Sequence, residues 1–199
     1  MITRKEMTRM LLKEGLLSWL ANNSFESVTV TSLCKASGIT RSTFYLHYSN
    51  IMEIVDDLVD DAIAYSKPGM VDNNNLQTIA NTLSAASNSV SLREAYDSIF
   101  DRLPLCQRII RHKKYLPLFL DEQISEYVLQ RIIGREKDRQ GLVIAESLGI
   151  SFDVGVSVFV FLVHGLYAVN KQYKWSQSDE WLEAQKTIFE LVYRGLQRR

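Results

Sequence analysis

One stretch of twenty residues, Thr29 to Tyr48, limits what this chain can become more than any other. It reads as two short helices around a tight turn. Thr29 is placed to cap the first, and Leu33 and Ala36, three apart, mark its inner face. Gly38 follows, where the end of a helix often needs a positive φ that glycine adopts without a steric cost. Ile39 is a small apolar plug. Thr40 then caps a second helix, Arg41 to about His47, with Phe44 turned inward. Two helices so spaced make a helix-turn-helix, a unit whose second helix lies in the DNA major groove. The outward side chains expected there are Arg41, Ser42, Thr43, Tyr45 and His47. They are hydrogen-bond donors and a cation, without a carboxylate, and a phosphate-lined groove favours such a set. Thr29 and Thr40 at the caps, with Thr31 and Lys35 on the first helix, complete the candidate DNA contacts.

The pattern Thr-Val-x-x-Leu-x-x-x-Ser-Gly-Ile-Thr-Arg-x-Thr-Phe-Tyr-x-His-Tyr resembles the DNA-binding motif of the TetR family of transcriptional regulators. Its Thr-Phe-Tyr-x-His-Tyr end is the most specific part, because generic helix-turn-helix motifs lack it. The likeness covers roughly residues 5 to 60. It implies an all-α chain in three parts: a DNA-binding domain at 1–48, a connecting helix at 49–67, and a helical effector-binding and dimerisation domain at 68–199. It further implies a homodimer whose last two helices pair with those of a second subunit, a pseudo-palindromic double-stranded operator, and repression relieved by a small-molecule effector. No cofactor is implied. The chain departs from the family at two positions, Ser24 where Gly is usual and Ile51 where Lys is usual. Asn22 and Asn23 are expected to supply the left-handed turn in place of Gly. Loss of the Lys removes one phosphate contact.

Charge agrees with a DNA-facing N-terminus. Lys+Arg and Asp+Glu are both 23, so the chain is formally neutral, unlike a protein that coats nucleic acid. Up to Asn50, however, six basic residues (Arg4, Lys5, Arg9, Lys13, Lys35, Arg41) face three acidic ones (Glu6, Glu14, Glu26). Arg4, Lys5 and Arg9 lie where they can reach phosphates. Cys34 and Cys106 form no CxxC or Cys/His cluster, which argues against a disulfide scaffold or zinc site. Cys34 is expected to pack as a small buried thiol. The N-terminal residues include no apolar signal region, and a cytoplasmic location is expected.

The apolar spacing predicts helices throughout. Residues 4–21 carry the stripe Leu12, Leu16, Trp19, Leu20, and residues 50–66 carry Ile51, Ile54, Val55, Leu58 and Ala62. Opposite the second stripe lie Glu53, Asp56, Asp57, Asp60 and Asp61, expected as a solvated face rather than a metal site. Pro68, Gly69 and the Asn run near 73–75 mark a loop and the domain boundary. Weaker helices are predicted at 76–88, at 92–103 with Ser91 as cap, and from Pro104 to His112. Another is expected from about Pro117 to Arg135, followed by a turn or a short exposed segment over the charged residues 135–140 and Gly141. Phe152–Tyr173 is the most apolar helix. Its stretch from Val154 to Val163, broken only by Gly155 and Ser157 and flanked by Asp153 and His164, is too short to span a bilayer, so a core or interface is expected and no membrane partner. Ser178 caps the last helix, whose expected stripe is Trp181, Ala184, Ile188, Leu191 and Val192.

No catalytic fingerprint occurs: there is no GxSxG, P-loop, HExxH or dinucleotide-binding glycine pattern, and an enzyme is the weakest reading. Tyr96, Phe100, Tyr115, Phe119, Phe152 and Phe159 can line an apolar cavity, with His164 beside it as a ligand contact or a satisfied interior histidine. The alternative to a small effector is a protein partner held by the second domain, for which the Asn/Ser-rich segment 73–91 is suited.

Overall fold

A computed structural model of the chain describes residues 3–65, 75–103, 105–108 and 113–196. Every regular element among them is helical and none is a strand. The helices are α1 (Arg4–Leu20), α2 (Val30–Ser37), α3 (Arg41–Tyr45), α4 (Ile51–Tyr65), α5 (Asn75–Ser84), α6 (Ser89–Ser98), α7 (Leu105–Arg108), α8 (Pro117–Leu120), α9 (Ser125–Leu148), α10 (Phe152–Gln172) and α11 (Asp179–Leu196). Short 3-10 turns lie at Phe25–Ser27 and Phe100–Arg102.

The chain divides into two compact units, neither continuous in sequence. Met1–Tyr65 and His112–Gly134 make the first; Ser66–Arg111 and Arg135–Arg199 make the second. The expected parts, 1–48, 49–67 and 68–199, followed chain order, whereas residues 112–134 belong with the N-terminal helices. Of the expected boundary loop at 67–75, residues 67–74 lie outside the described residues, as does His112, and Asn75 begins α5.

In the first unit, α1 opens with a reciprocal cap. Thr3 Oγ1 accepts from the Glu6 N–H at 3.2 Å, and the Thr3 N–H donates to Glu6 Oε2 at 2.7 Å. At the other end Asn22 and Asn23 are not left-handed, contrary to expectation. Their backbone N–H groups both reach the Trp19 carbonyl, at 3.1 and 2.9 Å, so the chain leaves the helix without a positive φ. Ser24 caps the following 3-10 turn. Leu12 and Leu16 of α1, Leu33 of α2, Phe44 of α3 and Ile54 and Val55 of α4 are all 0% exposed. Each such side chain contributes about 1.5–3 kcal/mol of apolar burial. Gly15 lets α1 and α2 cross closely, since a methyl there would sit 2.1 Å from Ser37 Oγ. Ala36 was expected on the inner face but is exposed; Cys34 is buried beside Leu33 in its stead.

Residues 113–134 complete this unit. Leu118, Phe119, Ile124 and Val128 are buried. Asp121 Oδ2 accepts from the Phe25 N–H at 2.7 Å, and Lys114 Nζ lies 2.6 Å from Glu14. Asp121 also breaks the helix predicted from Pro117 to Arg135, because its extended backbone (ψ 118°) separates α8 from α9. The acidic face of α4 is not the solvated face that charge alternation suggested. Asp57 binds Arg9, Asp61 binds Lys13, and Asp56 takes the Tyr127 hydroxyl at 2.7 Å with Arg131 Nε 3.1 Å away.

In the second unit, α9 passes straight through the charged run predicted to turn. The chain turns later, at Gly149 (φ +61°), where the Ile150 N–H reaches back to the Ala145 carbonyl at 3.1 Å. Gly141 serves packing instead. A methyl on it would meet Val156 Cγ2 at 2.5 Å, and one on Gly155 would sit 2.3 Å from the Gly141 carbonyl oxygen. Asn88, not Ser91, caps α6; Ser91 occupies the third helical position and returns the bond. In α5, Ile79, Ala80 and Leu83 are buried as the spacing predicts. Between α10 and α11 the chain turns at Lys174 and Trp175, both with positive φ. The α11 face turned inward is Trp181, Leu182, Gln185 and Phe189, while Leu191 of the expected stripe is 72% exposed. α10 is, among the described residues, long and apolar enough to cross a membrane by length and composition, because the helix extends beyond the stretch Val154–Val163 on which the expectation rested. The most apolar 18 residues within it have a mean hydropathy of 1.9, and 33% of them are buried.

Candidate nucleic-acid interface

The geometry of residues 29–48 follows from a few local bonds. Thr29 Oγ1 accepts from the Ser32 N–H at 3.0 Å, and the Thr29 N–H donates to Ser32 Oγ at 2.9 Å, starting α2 with a reciprocal cap. Gly38 (φ +66°) ends it, with the Ile39 N–H on the Cys34 carbonyl at 2.9 Å. A side chain at Gly38 would meet nothing within 4 Å, so the requirement is for the left-handed backbone and not for space. Thr40 Oγ1 then accepts from the Thr43 N–H at 3.2 Å and opens α3.

These caps sort the predicted contact residues. The Thr29 hydroxyl is committed to Ser32, and the Thr40 hydroxyl to Thr43 and Ser42, whose hydroxyls lie 2.8 and 2.9 Å away. Thr31, Lys35, Arg41, Ser42 and Tyr45 are exposed; Thr43 and His47 are half-buried. Phe44 is fully buried, and Tyr45 lies edge-on to it at 5.2 Å. The solvent side of α3 therefore carries one guanidinium, hydroxyls and a phenol. Burial pushes the Cys34 thiol up, against a smaller opposite pull from Arg41, which leaves a packing thiol and not a reactive thiolate.

Basic residues at the start of α1 divide in two. Arg4 and Lys5 are exposed, but Arg9 is taken into the unit. Its guanidinium binds Asp57 and lies 5.1 Å from the centre of the Tyr48 ring, while the Tyr48 hydroxyl donates to the same Asp57 oxygen at 2.6 Å. Burial alone would raise the Asp57 carboxyl. The bonds from Arg9 and Tyr48 outweigh burial and hold it below its usual range. Burial, reinforced by Asp57, raises the Tyr48 phenol well above its ordinary value. Tyr48 closes the candidate interface on its core side, a role its aromatic character alone did not reveal.

No family model, curated protein or solved structure matches this chain.

The predicted ligand-contact residues fall into different units. Tyr115 and Phe119 belong to the first, with the Tyr115 ring 6.5 Å from that of Tyr65. Tyr96, Phe100, Phe159 and His164 belong to the second. Aromatic spacing marks burial without saying in which core. His164 is half-buried and its Nδ1 lies 3.0 Å from the Val160 carbonyl of its own helix. A polar relay in the second unit went unforeseen. The Tyr96 hydroxyl donates to Gln107 Oε1 at 3.1 Å, and Gln107 Nε2 to Gln185 Oε1 at 3.1 Å. Beside it Trp181 Nε1 donates to Asn170 Oδ1 at 2.9 Å, and the Tyr96 and Trp181 rings meet edge to face at 5.1 Å. Gln107, Asn170 and Gln185 are each 0% exposed, and the Asn170 and Gln185 amide nitrogens have no partner. No group of three or more His, Cys, Asp or Glu suited to a metal occurs among the described residues.

Proposed function

We propose that this chain is a DNA-binding transcriptional regulator of the TetR type, and that α2 and α3 act as its helix-turn-helix. The observation that carries the reading is the pairing of two capped short helices about a left-handed glycine with a carboxylate-free outward face on the second. Such a helix is electrostatically suited to the major groove, and Arg41 has the planar fork that recognises guanine. Arg4, Lys5 and Lys35, all exposed, supply cations for phosphate contact.

In this reading the regulator is a homodimer. Its support is the apolar surface on α10 and α11, where Phe152 is 44% exposed, Phe161 71% and Leu191 72%. A two-fold pair would set two reading helices about 34–36 Å apart on one side of a pseudo-palindromic operator. Repression relieved by a small effector in the second unit completes the proposal. The buried amides of Asn170 and Gln185 favour a small effector over a protein partner, since they lie inside the unit and not on its surface.

Selection of bound sequences from random duplex DNA tests the reading directly. Enrichment of a pseudo-palindrome, bound with an affinity that falls as salt rises, is the expected result. Recovery of unselected sequences, or binding indifferent to salt, would rule the reading out.

A further inference from the structure

Leu46 is 80% exposed, more than Phe161, Leu191 or Val90 at 71%, 72% and 70%. It follows the last residue of α3 but keeps helical backbone angles, φ −74° and ψ −17°. Ser42 and Thr43 therefore stand four and three residues before it on one face of a continuing helix. Ser42 and Thr43, its neighbours on that side, both bear hydroxyls. Phe44 fills the opposite, core-facing side, and Tyr45 leans edge-on against it, so Leu46 is the apolar group that projects. A lone exposed leucine is ordinary on a protein surface. On a hydrogen-bonding surface applied to DNA it has a distinct consequence. It can lose water favourably only against an apolar group on the groove floor, and the major groove offers one such group, the C5 methyl of thymine.

We propose that Leu46 is a specificity-determining residue that packs on a thymine methyl in each half-site. The inference rests on the reading of α3 as the DNA-reading helix. It assigns to Leu46 the selection of thymine over cytosine at one position, while Arg41 and the hydroxyls supply the polar contacts.

The test uses the full chain and a duplex recovered by selection from random DNA. Each thymine is replaced in turn by uracil, which deletes only the methyl, and affinities are measured for the wild type and for Leu46→Ala. Circular dichroism of Leu46→Ala, a change at an exposed site, checks that the fold is kept. The expected result is one thymine per half-site at which uracil weakens wild-type binding about fourfold, the equivalent of one buried methylene at ~0.8 kcal/mol, but leaves Leu46→Ala binding unchanged. A thymine-to-uracil penalty equal in both proteins, or none at any position, overturns the assignment to Leu46 while leaving DNA binding intact. Failure of the wild type to bind any duplex removes the DNA reading itself, and this inference with it.

Discussion

Arg9 on α1 is bound to Asp57 on α4 across 48 positions of sequence, through Nε at 3.1 Å and through its terminal nitrogen. Tyr48 adds a third donor to the same carboxylate oxygen. The helix before α2 and α3 and the helix after them are thus fastened at one half-buried charge.

Asp57→Asn should lower stability at neutral pH by about 1–3 kcal/mol, because Arg9 and Tyr48 lose a charged acceptor. The effect has a defined pH dependence. The folded-state carboxyl is held below its unfolded value, so its contribution is complete above the usual carboxylate range and is lost as pH falls through the lower folded value. Urea unfolding of both proteins from neutral pH into acid should show the difference between them narrowing on the acid side. A difference that is constant with pH would contradict it.

Gly155→Ala should destabilise the second unit by about 1–3 kcal/mol, the ordinary cost of overpacking. The added methyl would press on the Gly141 carbonyl oxygen at 2.3 Å, a backbone atom that cannot rotate away. Gly134, which has nothing within 4 Å of its would-be side chain, is the control: Gly134→Ala should be neutral or stabilising. Paired urea titrations measure both.

Arg41→Ala should weaken operator binding and, if its fork meets a guanine, cost about 1–3 kcal/mol at that base pair. Arg4→Ala should weaken all sequences alike and reduce the slope of affinity against salt by about 1. Tyr45→Phe should cost less than Arg41→Ala and be indifferent to sequence. Fluorescence anisotropy at several salt concentrations separates the three, and an Arg41→Ala protein that binds like the wild type would remove Arg41 from the contact set.

Phe161→Glu and Leu191→Glu should yield monomers that remain folded, since both side chains are largely exposed within one chain. Phe159, also on α10, is half-buried, and its replacement would confuse association with folding. Sedimentation velocity at micromolar concentration is the measurement. A wild type that already sediments as a monomer would refute the dimer.

Local chemistry was the part of this molecule most readable from sequence. Thr29, Gly38 and Thr40 act through bonds spanning three to five residues, so the two short helices and their turn could be placed from residue types alone. Rules of similar range misjudged places where a distant partner decides. Gly141 reads as a turn residue until Val156 is seen against it, and the charged run before it is part of a long helix in which Glu136 is buried. The carboxylates of α4 read as a solvated face because their partners, Arg9, Lys13 and Arg131, lie elsewhere in the chain. Asn88 and Ser91 are both good caps, and their reciprocal bond fixes which serves. The residence of 112–134 with the N-terminal helices left no sequence signal, because apolar spacing reports that a residue is buried but not what buries it. The Tyr96–Gln107–Gln185 relay was hidden for the same reason.

That return of residues 112–134 to the first unit bears on how the protein is made. A ribosome that has released Tyr65 has supplied α1 to α4, yet Leu118, Phe119, Ile124 and Val128 of the same core are still unsynthesised. Helices α1 to α4 must wait, with part of their apolar surface bare, until synthesis passes Gly134, and at about 5–20 residues per second that interval lasts several seconds. Expression of residues 1–65 alone would make the interval permanent. A minimal fragment that keeps the first core whole is therefore not the N-terminal third, and domain-swap chimaeras joined near residue 66 would separate one core into two incomplete halves.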